Sequence, residues 1–288
     1  MPESVDELTT LLDLEEIEVG LFRARQPRTS LQRVFGGQVL AQALMAASRT
    51  VPADRTVHSL HGYFLVAGRT DLPIVYDVEL VRDGGSFSSR RVVARQSGQV
   101  MFYLSASFHV HEEGYEHADL VPEAPAPEDS PPMTEVLAGL TGRSAAGWQH
   151  EWGAIDVRYV GDSRSGGAIQ DPAHPARARV WVRVAGELPD DPVLHQAALA
   201  YTSDLTLIGV SVVPHGVVVG YTVQAASLDH AMWFHRPFRA DRWLLYDQVS
   251  PSASGALGLS TGRLFQDGRL VATVAQEGLI RPLRDRKA

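Results

Sequence analysis

The chain has 288 residues, of which 44% are hydrophobic and 21% charged, enough apolar material for one large globular domain or two of ordinary size. Its formal net charge of −8 argues against general nucleic-acid binding, which requires a basic surface. It contains no cysteine, which excludes disulfide bonds, thiol catalysis and thiolate zinc sites.

The first residues and the lengths of the apolar runs predict a soluble, cytoplasmic protein. The amino-terminal stretch is acidic and lacks the basic and apolar pattern of a secretory signal. No apolar run approaches the roughly 18 residues that a membrane-spanning helix needs. We therefore expect neither secretion nor a membrane span.

The first half of the chain predicts two helices followed by a meander of strands. Residues 4–20 carry a mixed acidic and apolar pattern that we interpret as a helix. A glycine pair, Gly36 and Gly37, opens the apolar stretch 34–49, which predicts a helix that is buried nearly all round. Four strand-like segments follow, separated by turn-forming residues at 83–85 and 97–99: residues 56–66, 72–82, 86–96 and 100–111.

The character of the chain changes at residues 112–133. This stretch holds five prolines and seven acidic residues and shows no periodic apolar pattern. Such a composition is typical of an extended linker.

The second half repeats the pattern of the first. After a short segment at 133–143, residues 152–159 and 177–184 resemble strands, and residues 194–209 have the pattern of a second buried helix. Five further strand-like segments follow, with a hairpin turn at 267–268: residues 217–226, 231–238, 243–254, 258–266 and 270–280.

Two short motifs give the offset of this repeat. S-L-H begins at Ser59 and S-L-D-H at Ser227, which is 168 residues later, and their final histidines, His61 and His230, are 169 residues apart. The repeat indicates an internal duplication. It predicts an α+β protein in which each copy wraps a curved antiparallel sheet around one helix. We place the first domain at residues 1–111, the linker at 112–148 and the second domain at 149–288.

One acidic residue stands out within the second buried helix. At helical spacing, Asp204 shares its face with four apolar or aromatic residues, Ala197, Ala200, Tyr201 and Ile208. An ionised carboxylate in such a place is costly unless something pairs with it. Asp204 is therefore either a structural residue that caps a turn or pairs with an arginine, or a carboxylate that burial tunes for proton transfer.

Two further polar residues favour the second interpretation. The last strand alternates so that Gln276 shares a face with apolar residues, among them Val274 and Ile280, and its amide also needs partners. Its counterpart in the first half falls near Ser107 or Phe108. Ser227 lies where the chain re-enters the sheet, so all three polar groups can converge on one pocket between helix and sheet.

Several motifs resemble those of the acyl-CoA thioesterase II, or TesB-type, family of double hotdog enzymes. They occur in the family's order and cover nearly the whole chain outside the linker, and the run from Ser227 to Phe238 is highly specific. The motifs are F-G-G-Q at 35–38, H-S-L-H-G-Y-F at 58–64, R-D-G-G-S-F at 82–87, L-A-Y-T-S-D at 199–204, S-L-D-H-A-M-W-F-H-R-P-F at 227–238 and V-A-Q-E-G at 274–278.

The resemblance implies a tandem hotdog fold and hydrolysis of acyl-CoA to free fatty acid and CoA by activated water. By position, the catalytic residues it implies are Asp204, Ser227 and Gln276; Ser227 stands where threonine is common, and the hydroxyl is kept. No cofactor and no metal are expected. The resemblance also suggests a homodimer or a larger homo-oligomer.

Two alternative functions remain open at this stage. A non-catalytic acyl-CoA-binding protein would keep the fold without turnover. A hotdog acyl-CoA hydratase would need an Asp/His dyad, and no histidine lies at helical spacing beside Asp204.

Two other patterns favour structural interpretations. Gly258-Leu-Ser260-Thr-Gly262 matches the G-x-S-x-G nucleophile elbow, but that motif needs a strand, a turn and a helix, and no histidine follows His235. The histidines 109, 111 and 117 with two glutamates resemble a metal site, although a strand running into an acidic linker explains them.

Overall fold

Each half of the chain wraps an antiparallel sheet around one buried helix. The computed structural model describes residues 1–142, 146–171 and 173–283. The elements of the first half are α1 (Val5–Leu12), β1 (Glu15–Glu18), β2 (Leu21–Ala24), α2 (Gly36–Ser48), β3 (Arg55–Phe64), β4 (Ile74–Asp83), β5 (Phe87–Gln96) and β6 (Gln99–Val110).

The connection and the second half contain three helices, two short 3₁₀ helices and seven strands among the described residues. In chain order they are the 3₁₀ helix Pro127–Asp129, α3 (Met133–Thr141), α4 (Ala146–Trp152), β7 (Ile155–Asp162), β8 (Arg177–Val184), α5 (Pro192–Ser203), the 3₁₀ helix Leu207–His215, β9 (Val223–Ser227), β10 (Asp229–Phe234), β11 (Leu244–Ser254), β12 (Leu257–Gln266) and β13 (Arg269–Pro282).

The sheets of the two halves join into one. The strand order is β1-β2-β4-β5-β6-β3-β10-β13-β12-β11-β8-β7, and β9 also pairs with β13. The junction is the antiparallel pair β3 and β10, in which His61 lies opposite Ala231. The two central helices, α2 and α5, pack against each other inside this curved sheet, and almost every residue of α2 is buried. The α+β architecture predicted from the repeat is therefore confirmed.

The repeat is preserved down to single hydrogen bonds, with an offset of 170 residues in the strands that follow each helix. The hairpin turns at Ser97-Gly98 and Asp267-Gly268 both have positive φ at both positions. An Arg–Asp ion pair recurs as well, at 2.6 Å between Arg69 and Asp71 and at 2.8 Å between residues 239 and 241.

The offset of 168 or 169 that the short motifs gave is therefore wrong. In the second half the chain breaks at Leu228 between β9 and β10, whereas β3 is continuous except for a bulge between Val57 and Ser59. Ser227 lies opposite Gly278 and Val57 lies opposite Phe108, so Ser227 corresponds to Val57 and not to Ser59. By the same register, the counterpart of Gln276 is residue 106, an alanine.

Several predicted elements have different limits in the structure. The helix predicted at 4–20 ends at Leu12, and the acidic residues after it form β1 with β2. The helix predicted at 194–209 ends at Ser203, where Thr202 and Ser203 hydroxyls bond to helix carbonyls, and a 3₁₀ helix follows. Strand 152–159 begins only at Ile155 and strand 217–226 only at Val223. Arg143, at the end of the segment predicted at 133–143, lies outside the described residues.

The acidic stretch after β6 lies along the outer face of the second half. Asp119 pairs with Arg263 at 2.7 Å, and the carbonyl oxygen of Pro125 accepts a hydrogen bond from the Trp181 indole. Farther along, the backbone N–H of Tyr159 donates to the carbonyl of Pro131. The stretch is thus extended, as predicted, and also tied to the sheet.

One segment of the described chain is long and apolar enough to cross a membrane by composition alone. It spans Pro192–His215, has a mean hydropathy of 1.3 and is 72% buried within the fold. It contains α5, the central helix of the second half, so its apolar character comes from packing in the core.

Candidate active site

Asp204 lies where the end of α5 meets the start of α2. It follows the last residue of α5 and is 5% exposed. The approach is so close that a Cβ at Gly36 would lie 2.6 Å from Asp204 Oδ2, and a Cβ at Gly37 would overlap the carbonyl oxygen of Tyr201. The glycine pair at the start of α2 therefore makes room for a carboxylate from the other half of the chain.

The three residues that the sequence singled out meet at one oxygen atom. Ser227, at the end of β9, donates its hydroxyl to Asp204 Oδ1 over 2.9 Å. Gln276, in the middle of β13, donates from Nε2 to the same oxygen. The backbone N–H of Gly37 also bonds to the carboxylate. Both bonded side chains act on Oδ1, which leaves Oδ2 beside Gly36.

Burial decides the protonation behaviour of this carboxylate. Removal from water raises the pKa of Asp204 to about 6, although the bonds from Gln276, Ser227 and the Gly37 N–H each lower it. At neutral pH the group is ionised, yet it holds a proton far more strongly than an exposed aspartate. Such a carboxylate is suited to act as a general base.

Sequence reasoning did not anticipate how close His230 would come to Asp204. His230 Nδ1 lies 3.8 Å from Asp204 Oδ1, and its Nε2 lies 2.9 Å from Ser203 Oγ. Its side chain is completely buried, and burial lowers the pKa of His230 to about 3, so the imidazole is neutral. The signal in the sequence was the S-L-D-H run, but strand β10, not helical spacing, brings this histidine to the site.

Buried polar atoms without a partner concentrate near this carboxylate. Within the described part of the chain, Gln276 Oε1, His230 Nδ1 and the Tyr201 hydroxyl all lack a hydrogen-bond partner. Such atoms are rare in folded proteins because each costs free energy of desolvation. Their concentration around Asp204 marks this place as one where the fold sacrifices stability.

The first half has no equivalent group of polar residues. Val57 and Ala106 stand at the positions of Ser227 and Gln276. Next to Ala106 lies Arg90, which is fully buried and bonds to the carbonyl and hydroxyl oxygens of Thr50, just after α2. The candidate site is therefore confined to the second half and to the start of α2.

The structure gives other places to the patterns that favoured structural interpretations. Ser260 lies in the middle of β12, so G-x-S-x-G here is part of a strand and not a nucleophile elbow. His109 pairs with Glu112 at 2.8 Å, and no group of three His, Cys, Asp or Glu side chains within residues 1–142, 146–171 and 173–283 could hold a metal.

The apolar slot expected for an acyl chain is not among the two cavities seen at the surface. One, of about 520 Å³, is lined mainly by charged residues between Arg183 and Arg242, and the other, of about 310 Å³, by residues 163–175 and Pro214. Next to Ser227, the 3₁₀ helix Leu207–His215 packs tightly on the sheet, since a Cβ at Gly278 would overlap Ile208.

Comparison with known proteins gives matches across both halves of the chain. Residues 25–109 match the family model of the acyl-CoA thioesterase N-terminal domain, and residues 172–279 match the model of acyl-CoA thioesterase. The chain is 37% identical to Acyl-CoA thioesterase 2 of Haemophilus influenzae, over 98% of this chain and 99% of the relative.

Solved structures agree with these matches. The crystal structure of acyl-CoA thioesterase II TesB2 from Mycobacterium marinum aligns with a TM-score of 0.82 and 46% identity, covering 96% of this chain and 99% of the other. A protein with a hotdog fold from Alicyclobacillus acidocaldarius aligns with a TM-score of 0.76 and 22% identity over 96% and 98% of the two chains, which supports the fold alone. The tandem hotdog fold is thus confirmed, and the chain belongs to the acyl-CoA thioesterase family.

Proposed function

We propose that the chain hydrolyses acyl-CoA to a free fatty acid and CoA, with Asp204 as the general base. The observation that carries this proposal is a buried carboxylate with a pKa of about 6, held at Oδ1 by Ser227 and Gln276. Membership of the acyl-CoA thioesterase family supplies the class of substrate.

In the first step, water attacks the thioester carbonyl carbon while Asp204 accepts one of its protons. Because Ser227 and Gln276 occupy Oδ1, Oδ2 is the oxygen available to accept it. A new C–O bond forms and the carbonyl electron pair moves to oxygen. A positioned general base contributes roughly 10²–10⁴-fold to such a step.

In the second step, the tetrahedral intermediate collapses and the C–S bond breaks. The electron pair goes to sulfur, and the proton held by Asp204 passes to the departing CoA thiolate. No covalent bond to the enzyme is needed, since the thioester carbonyl is electrophilic enough for direct attack by an oriented water.

The first turn of α2 supplies donors for the developing oxyanion. N–H groups in the first turn of a helix have no acceptor within it, and Phe35 provides no side-chain cap for α2. Gly37 already bonds to Asp204, so we assign the oxyanion to the neighbouring N–H groups of this turn. Each such donor contributes on the order of 3 kcal/mol in comparable sites.

The nearness of His230 gives a specific reason to consider the hydratase alternative. An Asp/His dyad is what that reaction requires, and the two side chains are 3.8 Å apart. However, the pKa of His230 is lowered to about 3 and its Nε2 is engaged with Ser203, so it is poorly placed to shuttle a proton to substrate.

One assay separates the three functions. Purified protein is incubated with saturated acyl-CoAs of short to long chain, with release of free thiol as the readout, and with an enoyl-CoA, with loss of the enoyl absorbance as the readout. Thiol release without hydration supports the proposal. Hydration without thiol release would instead establish a hydratase, and binding without either reaction would establish a non-catalytic acyl-CoA-binding protein.

The homodimer or larger homo-oligomer and the cytoplasmic location stay predictions. A sheet that curves around its helices exposes its outer face, and several large apolar residues are exposed there or near strand ends, including Tyr63 and Phe87. Light scattering coupled to size-exclusion chromatography tests the oligomer directly, and a monomer mass would contradict it.

A further inference from the structure

The G-x-S-x-G pattern acquires a meaning from the period of a β-strand. Successive side chains alternate between faces, so Gly258, Ser260 and Gly262 all lie on the inner face of β12. A Cβ at Gly258 would lie 2.6 Å from Ser211 Oγ, and a Cβ at Gly262 would overlap the ring of Tyr246. The two glycines therefore permit close packing, and Ser260 is the single side chain that this stretch of the inner face presents.

Ser260 and Gln276 lie directly opposite each other on neighbouring strands. They are paired in the register of β12 and β13, which places their Cβ atoms about 4.5–5.5 Å apart on the same face. Both are buried, with exposures of 0% and 1%. Among the described residues, Ser260 Oγ and Gln276 Oε1 both lack a hydrogen-bond partner.

These two unpaired atoms are chemically complementary. The Gln276 Oε1 can only accept a hydrogen bond, and the Ser260 hydroxyl can donate one. A small rotation of either side chain across the strand pair suffices to join them. Since a carbonyl oxygen has two lone pairs, Oε1 could still accept a second bond from the attacking water.

The orientation of this amide matters for Asp204. With Nε2 toward the carboxylate, Gln276 donates to Oδ1. With the amide reversed, an oxygen would face an oxygen, and the bond that holds the carboxylate would be lost. A donor opposite Oε1 is what distinguishes the two orientations.

The first half shows that this serine is not demanded by the fold. The pair Arg90 and Ala106 occupies the equivalent register positions, and there the long polar side chain comes from the other strand. The second half instead combines a long amide on β13 with a small hydroxyl on β12.

We propose that Ser260 is a positioning residue, whose hydroxyl donates to Gln276 Oε1 and holds the amide so that Nε2 donates to Asp204. This inference rests on the proposed function of Asp204 and Gln276. It assigns no nucleophilic role to Ser260, which acts only through Gln276.

The test compares Ser260→Ala and Ser260→Thr in the full-length protein, with Ser211→Ala as the matched control. Ser211 is also a buried serine on this packing surface, but its hydroxyl bonds to the Ile208 carbonyl. We expect Ser260→Ala to lower kcat about 3- to 10-fold with little change in KM, as for loss of one hydrogen bond. Ser260→Thr, which keeps the hydroxyl, restores kcat, and Ser211→Ala leaves it unchanged.

Two further readouts separate positioning from a structural role. The acid limb of the kcat/KM profile moves to higher pH in Ser260→Ala, because a bond that lowers the pKa of Asp204 is weakened. In a Gln276→Ala background, Ser260→Ala has no further effect on kcat. An unshifted profile, or equal losses in both backgrounds, would overturn the role of Ser260.

The same set of variants distinguishes the failure of this inference from failure of the proposed site. If Gln276→Ala is impaired and Ser260→Ala is not, only the role of Ser260 fails. If Gln276→Ala is itself fully active, the proposed site fails and the role of Ser260 fails with it. Thermal unfolding of each variant shows whether a loss of activity reflects loss of fold.

Discussion

Asp204 was recognisable in the sequence because its charge conflicts with its apolar neighbours. Its partners were harder to derive, since Ser227 is 23 residues away and Gln276 is 72 residues away, on strands whose approach depends on closure of the sheet. His230 illustrates the limit. Helical spacing around Asp204 shows no histidine, yet β10 places one 3.8 Å away.

The raised pKa of Asp204 predicts how the rate depends on pH. A general base works only when deprotonated, so kcat/KM should rise with pH and level off above about 6, with roughly a tenfold loss one unit below that pKa. His230 does not titrate in this range, because its pKa is lowered to about 3, and burial raises the pKa of Tyr201 and Tyr246 well above theirs. A kcat/KM profile that stays flat from pH 5 to pH 7 would contradict the assignment.

The same pKa predicts that Asp204→Asn stabilises the folded protein above pH 6. The folded-state pKa lies above the ordinary value of 3.8, so the native state binds more protons, and stability is lost as pH rises from about 3.8 to 6. The amide variant lacks this loss. The difference in free energy of unfolding should therefore grow across that window to about 3 kcal/mol and then stay constant.

Denaturant unfolding at several pH values measures this difference. Asp267→Asn, at the exposed tip of a hairpin, controls for removal of a carboxylate elsewhere. A gap between wild type and Asp204→Asn that does not change with pH would show that burial does not strain this carboxylate.

At the scale of elements, the alternation of apolar residues predicted most strands and hairpins within a few residues. The predicted limits failed where side chains compete with the backbone, as at Thr202 and Ser203, whose hydroxyls bond to helix carbonyls at the end of α5. They also failed where the acidic residues after Leu12 form an edge strand by pairing with β2. Short motifs misaligned the repeat because the break at Leu228 has no counterpart in β3.

The contact between α2 and Asp204 predicts a cost for a single methyl group at Gly36. A Cβ there would lie 2.6 Å from Asp204 Oδ2 and 3.1 Å from the Phe64 ring, so Gly36→Ala must displace the carboxylate or the helix. A displacement of about 1 Å can cost on the order of 10²-fold in rate. We expect kcat/KM to fall by that order.

The matched control is Gly139→Ala in α3. No atom lies within 4 Å of a Cβ at Gly139, and alanine is the better helix former, so this change should raise stability slightly and leave the rate unchanged. Equal activity of the two variants in the thiol-release assay would show that the close approach at Gly36 has no role in catalysis.

At the scale of the whole molecule, the duplication predicted two similar halves, and the structure shows why one half alone would not make the site. The carboxylate comes from α5, but the N–H group that bonds to it and the glycine that makes room for it come from α2. The joining of both sheets through β3 and β10 holds the halves in this arrangement. Neither feature can be derived from periodicity, because both depend on contacts between the copies.

The most direct test of the central claim is the release of free thiol from acyl-CoA by wild type and by Asp204→Asn near neutral pH. The amide keeps the size of the side chain and removes the base, so we predict a fall in kcat of at least about 100-fold, with the fold and acyl-CoA binding retained. Turnover that is unchanged in a folded Asp204→Asn protein would place the chemistry elsewhere in the chain.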